Sequence, residues 1–194
     1  MGRTLIVGDV HGCAQELDRL LQAARPKRVV LVGDLFTRGP DPRGVWDLIE
    51  EWGAEAVLGN HDAKVLEQWT PGGRLPRRAH RWLRARPHLM VSRRLAISHA
   101  GVRPTGRLRD TPRAQAVGLC RLPRPGGQRW WDHYRGRRLV VFGHHAARGL
   151  LDQRPYSLGL DTGCVRGGRL TGYLVQEDRI LSVASQTDWT QART

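Results

Sequence analysis

Residues 4–12 read TLIVGDVHG, residues 29–39 read VVLVGDLFTRG and residues 54–62 read AEAVLGNHD. In each, an apolar run ends at a glycine followed by a polar side chain: Asp9 with His11, then Asp34, then Asn60. Between the first two runs, Leu17, Leu20 and Leu21 recur at helical spacing over residues 14–24. Between the second and third, Pro42 opens a helix bearing Val45, Trp46, Leu48, Ile49 and Trp52, and Gly53 is its stop signal. This strand–helix–strand–helix–strand order predicts a parallel sheet with right-handed crossovers. Polar residues then collect at the carboxyl ends of the strands, where open α/β sheets build their sites.

Further along, Leu95 to Ser98 reads as a strand ending in His99-Ala100-Gly101, and Leu139 to Phe142 as one ending in Gly143-His144-His145. Residues 79–86 have a helical pattern. Residues 103–127, rich in Arg, Pro and Gly, read as a long connection or cap. Residues 156–160, 169–175 and 180–183 read as strands of a second, partly antiparallel sheet. The polar residues after Ala184 are expected to be a loose tail. Neither a repeat nor a linker divides the 194 residues, so one domain over 1–194 is expected.

The net charge is +14, from 32 Lys plus Arg against 18 Asp plus Glu. A field of that sign attracts anions, phosphorylated substrates among them. Only Lys27 and Lys64 are lysines, an arginine bias that GC-rich coding also produces. No dense basic block with interleaved aromatics occurs, so no dedicated nucleic-acid surface is inferred. No apolar run is long enough to span a bilayer, and the first ten residues read as a strand rather than a signal peptide, so a cytoplasmic location is expected. Cys13, Cys120 and Cys164 are odd in number and irregular in spacing; they read as small buried hydrophobes, not as a disulfide or zinc framework.

Five apolar runs thus end in residues able to ligate a metal: Asp9 with His11, Asp34, Asn60, His99 and His144. Any one alone is ordinary turn chemistry. Five in one short chain point to a mixed oxygen and nitrogen site suited to manganese, iron, zinc or cobalt.

Gly8-Asp9-Val10-His11-Gly12, residues 33–39, Gly59-Asn60-His61-Asp62, Ser98-His99-Ala100-Gly101 and Gly143-His144 together resemble the ordered motifs of the calcineurin-like metallophosphoesterases. Within them, Gly12-Cys13, Arg38-Gly39-Pro40, Trp82-Leu83-Arg84, residues 160–164 and residues 167–171 are similar to the symmetrical diadenosine tetraphosphatases and their ApaH-like relatives. The resemblance implies a four-layer α/β sandwich, two mixed β-sheets flanked by helices, with a dimetal site at the strand ends. It implies two divalent cations, Mn²⁺ foremost, with Co²⁺, Fe²⁺, Zn²⁺ or Mg²⁺ as alternatives. One would be held by Asp9, His11 and Asp34; Asp34 would bridge to a second held by Asn60, His99 and His144. It further implies that water activated by the two cations attacks phosphorus in line, that Arg38 grips phosphoryl oxygens, and that His61 protonates the leaving group.

The expected substrate is a dinucleoside polyphosphate, diadenosine tetraphosphate giving two ADP. Phosphoprotein phosphatase, inorganic polyphosphatase and RNA 5′-cap hydrolase activities are alternatives, as is a non-catalytic nucleotide sensor. Thr37 departs from the phosphoprotein phosphatases, which carry there an Asp that orients the histidine matching His61. Without that partner His61 is a weaker acid catalyst, which favours phosphoanhydrides, whose leaving groups need no proton. Asp62 reads as a helix cap. Asp161 is either a partner for a ligating histidine or a turn residue, and Trp130-Trp131 reads as core. His145 either lines the site or faces solvent, and His80, His88 and His133 belong to no motif.

Overall fold

A computed structural model describes residues 2–70, 73–119 and 128–191. Strands β1 (Thr4–Val7), β2 (Arg28–Leu31) and β3 (Glu55–Ala56) pair in parallel, linked by helices α1 (Ala14–Ala24) and α2 (Pro42–Glu51). Helices α3 (Asn60–Glu67) and α4 (Arg77–Arg84) lead to β4 (Leu89–Val91) and β5 (Leu95–Ser98). Then come α5 (Arg113–Gly118), α6 (Trp130–His133), β6 (Leu139–Phe142), β7 (Leu151–Gln153), β8 (Ser157–Gly159), β9 (Arg169–Leu174) and β10 (Arg179–Ala184). Among the described residues these strands form two five-stranded mixed sheets, ordered β10-β9-β1-β2-β3 and β4-β5-β6-β8-β7.

Strand periodicity sorts the core into layers. On β1 and β2, Leu5, Val7, Val29 and Leu31 face α1 and α2, where they meet Leu17, Leu20, Leu21, Val45 and Ile49. The intervening Ile6, Val30 and Val32 face the other sheet and pack on Ile97, Val141 and Leu158. On that sheet's far side, Ala96, Val140 and Phe142 lie under Trp130, Trp131 and Tyr134. Central strands buried on both faces carry continuous apolar runs for this reason. A Leu158→Ala cavity between the sheets would cost about 2–5 kcal/mol.

Local signals set the helix ends. Asp41 accepts from the Gly44 backbone N–H at 2.7 Å, with Pro42 in the first turn of α2. Arg25 closes α1 in the left-handed region, donating its N–H to the Leu21 carbonyl, ahead of Pro26.

Two expectations need correction. β9 and β10 join the first sheet, not the second, because β1 has a free edge beside which Gly172 lets β9 approach closely: a Cβ there would lie 2.9 Å from Leu5 Cδ1. β3 is only two residues long: the chain turns to donate from Leu58 to the Pro87 carbonyl, and Asn60 opens a helix instead of ending a strand. The second sheet is completed by β4 and β7, three-residue segments too short to announce themselves. After Ala184 the backbone of Ser185 donates to Gly168, that of Gln186 to the Glu16 carboxylate and that of Trp189 to Val165. No helix among the described residues is long and apolar enough to cross a membrane.

Candidate active site

The loops after β1, β2, β5 and β6 and the start of α3 converge on a cavity of about 230 Å³. Asp9, His11, Asp34, Arg38, Asn60, His61, His144, His145 and Asp161 line it, and His99 lies fully buried against it. All six residues expected as ligands, together with Arg38 and His61, are therefore brought together. Their backbones are unusual: His11 (φ 49°), Asp34 (φ 55°), Arg38 (φ 69°) and His144 (φ 68°) all sit in the left-handed region. Each such residue costs about 1 kcal/mol or more, and strain of this kind gathers at functional sites. Glycines make room for the side chains: a Cβ on Gly59 would collide with Asp34 Oδ1, and one on Gly143 with Asp9 Oδ1.

Two donor groups share Asp34. In the first, Asp9, His11 and Asp34 bring ligand atoms within 4.8 Å of one another, with His11 Nε2 3.6 Å from Asp34 Oδ2. In the second, Asn60 Oδ1 lies 3.0 Å from His99 Nε2 and 2.8 Å from His144 Nδ1. The two imidazole nitrogens are 3.2 Å apart, and His99 Nε2 is 3.4 Å from Asp34 Oδ1. Each oxygen of Asp34 thus faces a different group. Protons alone satisfy the second group poorly, because His99 Nε2 carries at most one hydrogen and has three acceptors around it. A cation with ligand bonds of about 2.1 Å needs donors spaced roughly 3.0–3.4 Å apart; three of these four separations lie in that range and the fourth, Asn60 to His144, is 2.8 Å. The donor set therefore fits a divalent ion.

Hydrogen bonds aim the rings. His99 Nδ1 donates to the Val32 carbonyl at 2.9 Å, turning Nε2 into the site. His11 Nδ1 is hydrogen-bonded to Thr37 Oγ1 at 3.0 Å, which turns Nε2 toward Asp34; in the tautomer that leaves Nε2 a lone-pair donor, Nδ1–H is the donor. Burial pushes His11 down to about 3 and His144 down to about 4, so both are neutral lone-pair donors near pH 7. Burial also opposes charge on His99, but the Asp34 and Asp9 carboxylates outweigh it and push this residue up to about 10. Asp9 is raised by burial and by neighbouring Asp161. Cations would relieve this crowding of buried carboxylates.

Two residues act differently from their reading in the sequence. Thr37, expected only as a lost partner of His61, instead holds His11. His61 Nε2 accepts from Arg38 Nη2 at 3.0 Å, and its ring stands edge-on to His11. Asp62, read as a cap, does receive the Gly59 N–H at 3.1 Å, but it also receives those of Asp34 (2.7 Å) and Leu35 (2.9 Å). It thereby clamps the backbone that presents Asp34. Asp161 accepts from the Gly163 N–H at 3.1 Å, as a turn residue does, while lining the cavity.

Trp130 and Trp131 are buried core, as expected. His145 lines the cavity and contacts Arg129. Sequence reading missed Arg166, which enters the cavity wall from the turn before β9; nothing in its immediate sequence marks it among thirty arginines. Cys13 and Cys164 are buried beside Glu16 beneath α1, and Cys120 lies outside the described residues.

The sequence model of the calcineurin-like phosphoesterases matches residues 2–180. The chain belongs to that family. Membership implies divalent metal ions, in keeping with the two donor groups. The phosphoesterase is 28% identical to the asymmetrical bis(5′-nucleosyl)-tetraphosphatase PrpE of Oceanobacillus iheyensis, over 93% of this chain and 92% of that one. It is 30% identical to the symmetrical bis(5′-nucleosyl)-tetraphosphatase of Ralstonia nicotianae, over 85% and 86% of the two chains. A crystal structure provisionally assigned as a diadenosine tetraphosphatase superposes with a TM-score of 0.85 at 34% identity, covering 95% of this chain and 94% of that one.

Proposed function

We propose that this phosphoesterase hydrolyses phosphoanhydride bonds in dinucleoside polyphosphates, with diadenosine tetraphosphate as its leading substrate, in the cytoplasm. The observation that carries the proposal is the pair of donor groups sharing Asp34 beside Arg38, in a chain whose relatives at this identity bear tetraphosphatase names. Asp9, His11 and Asp34 would hold one divalent cation, and Asp34, Asn60, His99 and His144 a second, manganese being the first choice. When bound, such a pair supplies Lewis acidity that makes water nucleophilic near neutral pH and neutralises phosphoryl oxygens.

The chain's own residues do the rest. Arg38 offers its planar guanidinium to the non-bridging oxygens of the scissile phosphate. Asp62 keeps Asp34 in its strained conformation. His61, receiving a hydrogen bond from Arg38 at Nε2, is neutral there and has no proton at that nitrogen to give a leaving oxygen. A nucleoside diphosphate departs without one, whereas a serine alkoxide does not. A cavity of about 230 Å³ encloses phosphate groups and leaves nucleosides to the surface around it.

The test is hydrolysis of diadenosine tetraphosphate with manganese and with a chelator, the products being resolved by anion exchange. Two ADP mark central cleavage; AMP with ATP marks the asymmetrical mode. Rapid turnover of a phosphopeptide with none of diadenosine tetraphosphate would refute the proposal.

A further inference from the structure

A second cavity, of about 640 Å³, lies on the flank of the β4-β5-β6 sheet, lined by Arg107, Arg109, Arg135, Arg137 and Arg138. It is remote from the candidate active site. Arg138 immediately precedes β6, whereas His144 follows its far end, and a four-residue strand spans roughly 13 Å. The arginines come from two segments, 104–109 and 133–138, that only the fold places side by side.

What distinguishes this groove is the gathering of five arginines around one concavity with no carboxylate in its wall. Several arginines elsewhere find carboxylates: Arg3 and Arg179 with Glu177, Arg28 with Glu55, Arg43 with Asp47, Arg78 with Glu50, and Arg154 with Asp152 and Asp178. Among the described residues none of the five groove arginines forms such a pair, and the nearby Asp110 and Asp132 do not line the cavity. Three are anchored by backbone carbonyls while keeping other N–H groups available. Arg138 Nε donates to Ser92 at 2.7 Å, Arg135 Nη1 to Tyr134 at 2.7 Å and Arg109 Nη2 to Val91 at 3.4 Å. Arg107 and Arg137 are exposed at the rim. Five like charges around one concavity repel one another, and a concave surface focuses their field on whatever fills it.

We propose that this groove is a second anion site, which binds a chain of three or more phosphates through the arginine forks. A single phosphate would engage too few of the guanidiniums to offset the repulsion among all five. A polynucleotide is the poorer fit: the wall has neither tryptophan nor phenylalanine, Tyr134 is only 3% exposed, and the imidazole of His133 is its one exposed ring, too little for a row of stacked bases. The inference is independent of which substrate the active site cleaves.

The full chain, loaded with magnesium, would be titrated with hydrolysis-resistant bis(methylene) triphosphate while backbone amide resonances are followed. Gly106 and Gly136, both in the groove wall, report on this site separately from the active site. We expect saturable shifts at both glycines. In Arg107→Gln/Arg137→Gln affinity should fall about tenfold or more, and Arg107→Lys/Arg137→Lys should recover only part of it, because the charge is kept while the bidentate fork is lost. Hydrolysis of p-nitrophenyl phosphate should be unchanged in both variants. Absence of saturable shifts at Gly106 and Gly136, or equal affinity in wild type and the glutamine variant, would overturn the proposal. Tighter binding of an oligouridine without terminal phosphates than of the triphosphate analogue would overturn it as well, in favour of an RNA-backbone surface.

Discussion

Replacing Thr37 with valine nearly keeps the volume of the side chain and exchanges one atom, the Oγ1 that receives His11 Nδ1–H at 3.0 Å when Nε2 is the ligand atom, for a methyl carbon. His11 is 6% exposed, so the orphaned N–H has little water to turn to. An unsatisfied buried donor costs about 1–3 kcal/mol. Thr37 itself is only half-buried, which lets solvent make good part of the loss and favours the lower part of that range, about 1–2 kcal/mol. If His11 binds a cation through Nε2, this cost appears as a weaker metal site, by roughly 5- to 30-fold in affinity. Calorimetric titration of chelator-stripped protein with manganese should show one of two affinities reduced by that factor. The group formed by Asn60, His99 and His144 should be untouched. Activity should fall at limiting manganese and recover at saturation, and Thr37→Ser, which restores the hydroxyl, should behave as wild type. Both affinities within about twofold of wild type in the valine variant, or an equal loss in the serine variant, would refute the reasoning.

Four further outcomes are expected. Asp34→Asn should abolish turnover and strip at least one cation, since each oxygen of Asp34 serves a different group; elemental analysis checks this. Arg38→Ala should lower kcat/KM on every phosphoryl substrate by about 10²-fold, and a loss confined to one substrate would move Arg38 away from the scissile phosphate. His61→Ala should cost less on diadenosine tetraphosphate than on phosphoserine, as paired kinetics on the two substrates will tell. Without metal, His99 is pushed up to about 10 from an ordinary 6.5, so its contribution to stability is complete below about pH 6.5 and is lost as pH rises toward 10. Melting temperature in chelator should therefore fall between pH 7 and 9, while manganese affinity rises over the same window, because the cation no longer displaces a proton from His99.

Much of the architecture was legible because it rests on local chemistry. Apolar runs broken by Gly-Asp, Gly-Asn and Gly-His mark strands that leave a buried sheet at turns, and the two helices between the first three strands fall where Pro42, Gly53 and the leucine spacing put them. The same residues name the donor types, so the six residues that meet in the cavity could be listed before any geometry was known. Partnership between distant segments was not legible. Periodicity reveals that β9 and β10 are strands, but the choice between two sheets depends on which edge is open, and the free edge of β1 lies some 165 residues away along the chain. Thr37 turns toward His11 rather than His61, Asp62 reaches back to Asp34, and five arginines meet around one groove, all through contacts made across the fold. Backbone sterics and side-chain polarity act over a few residues and are written in sequence order; hydrogen-bond partners and charge balance follow from proximity in space, which only the packed sheets decide.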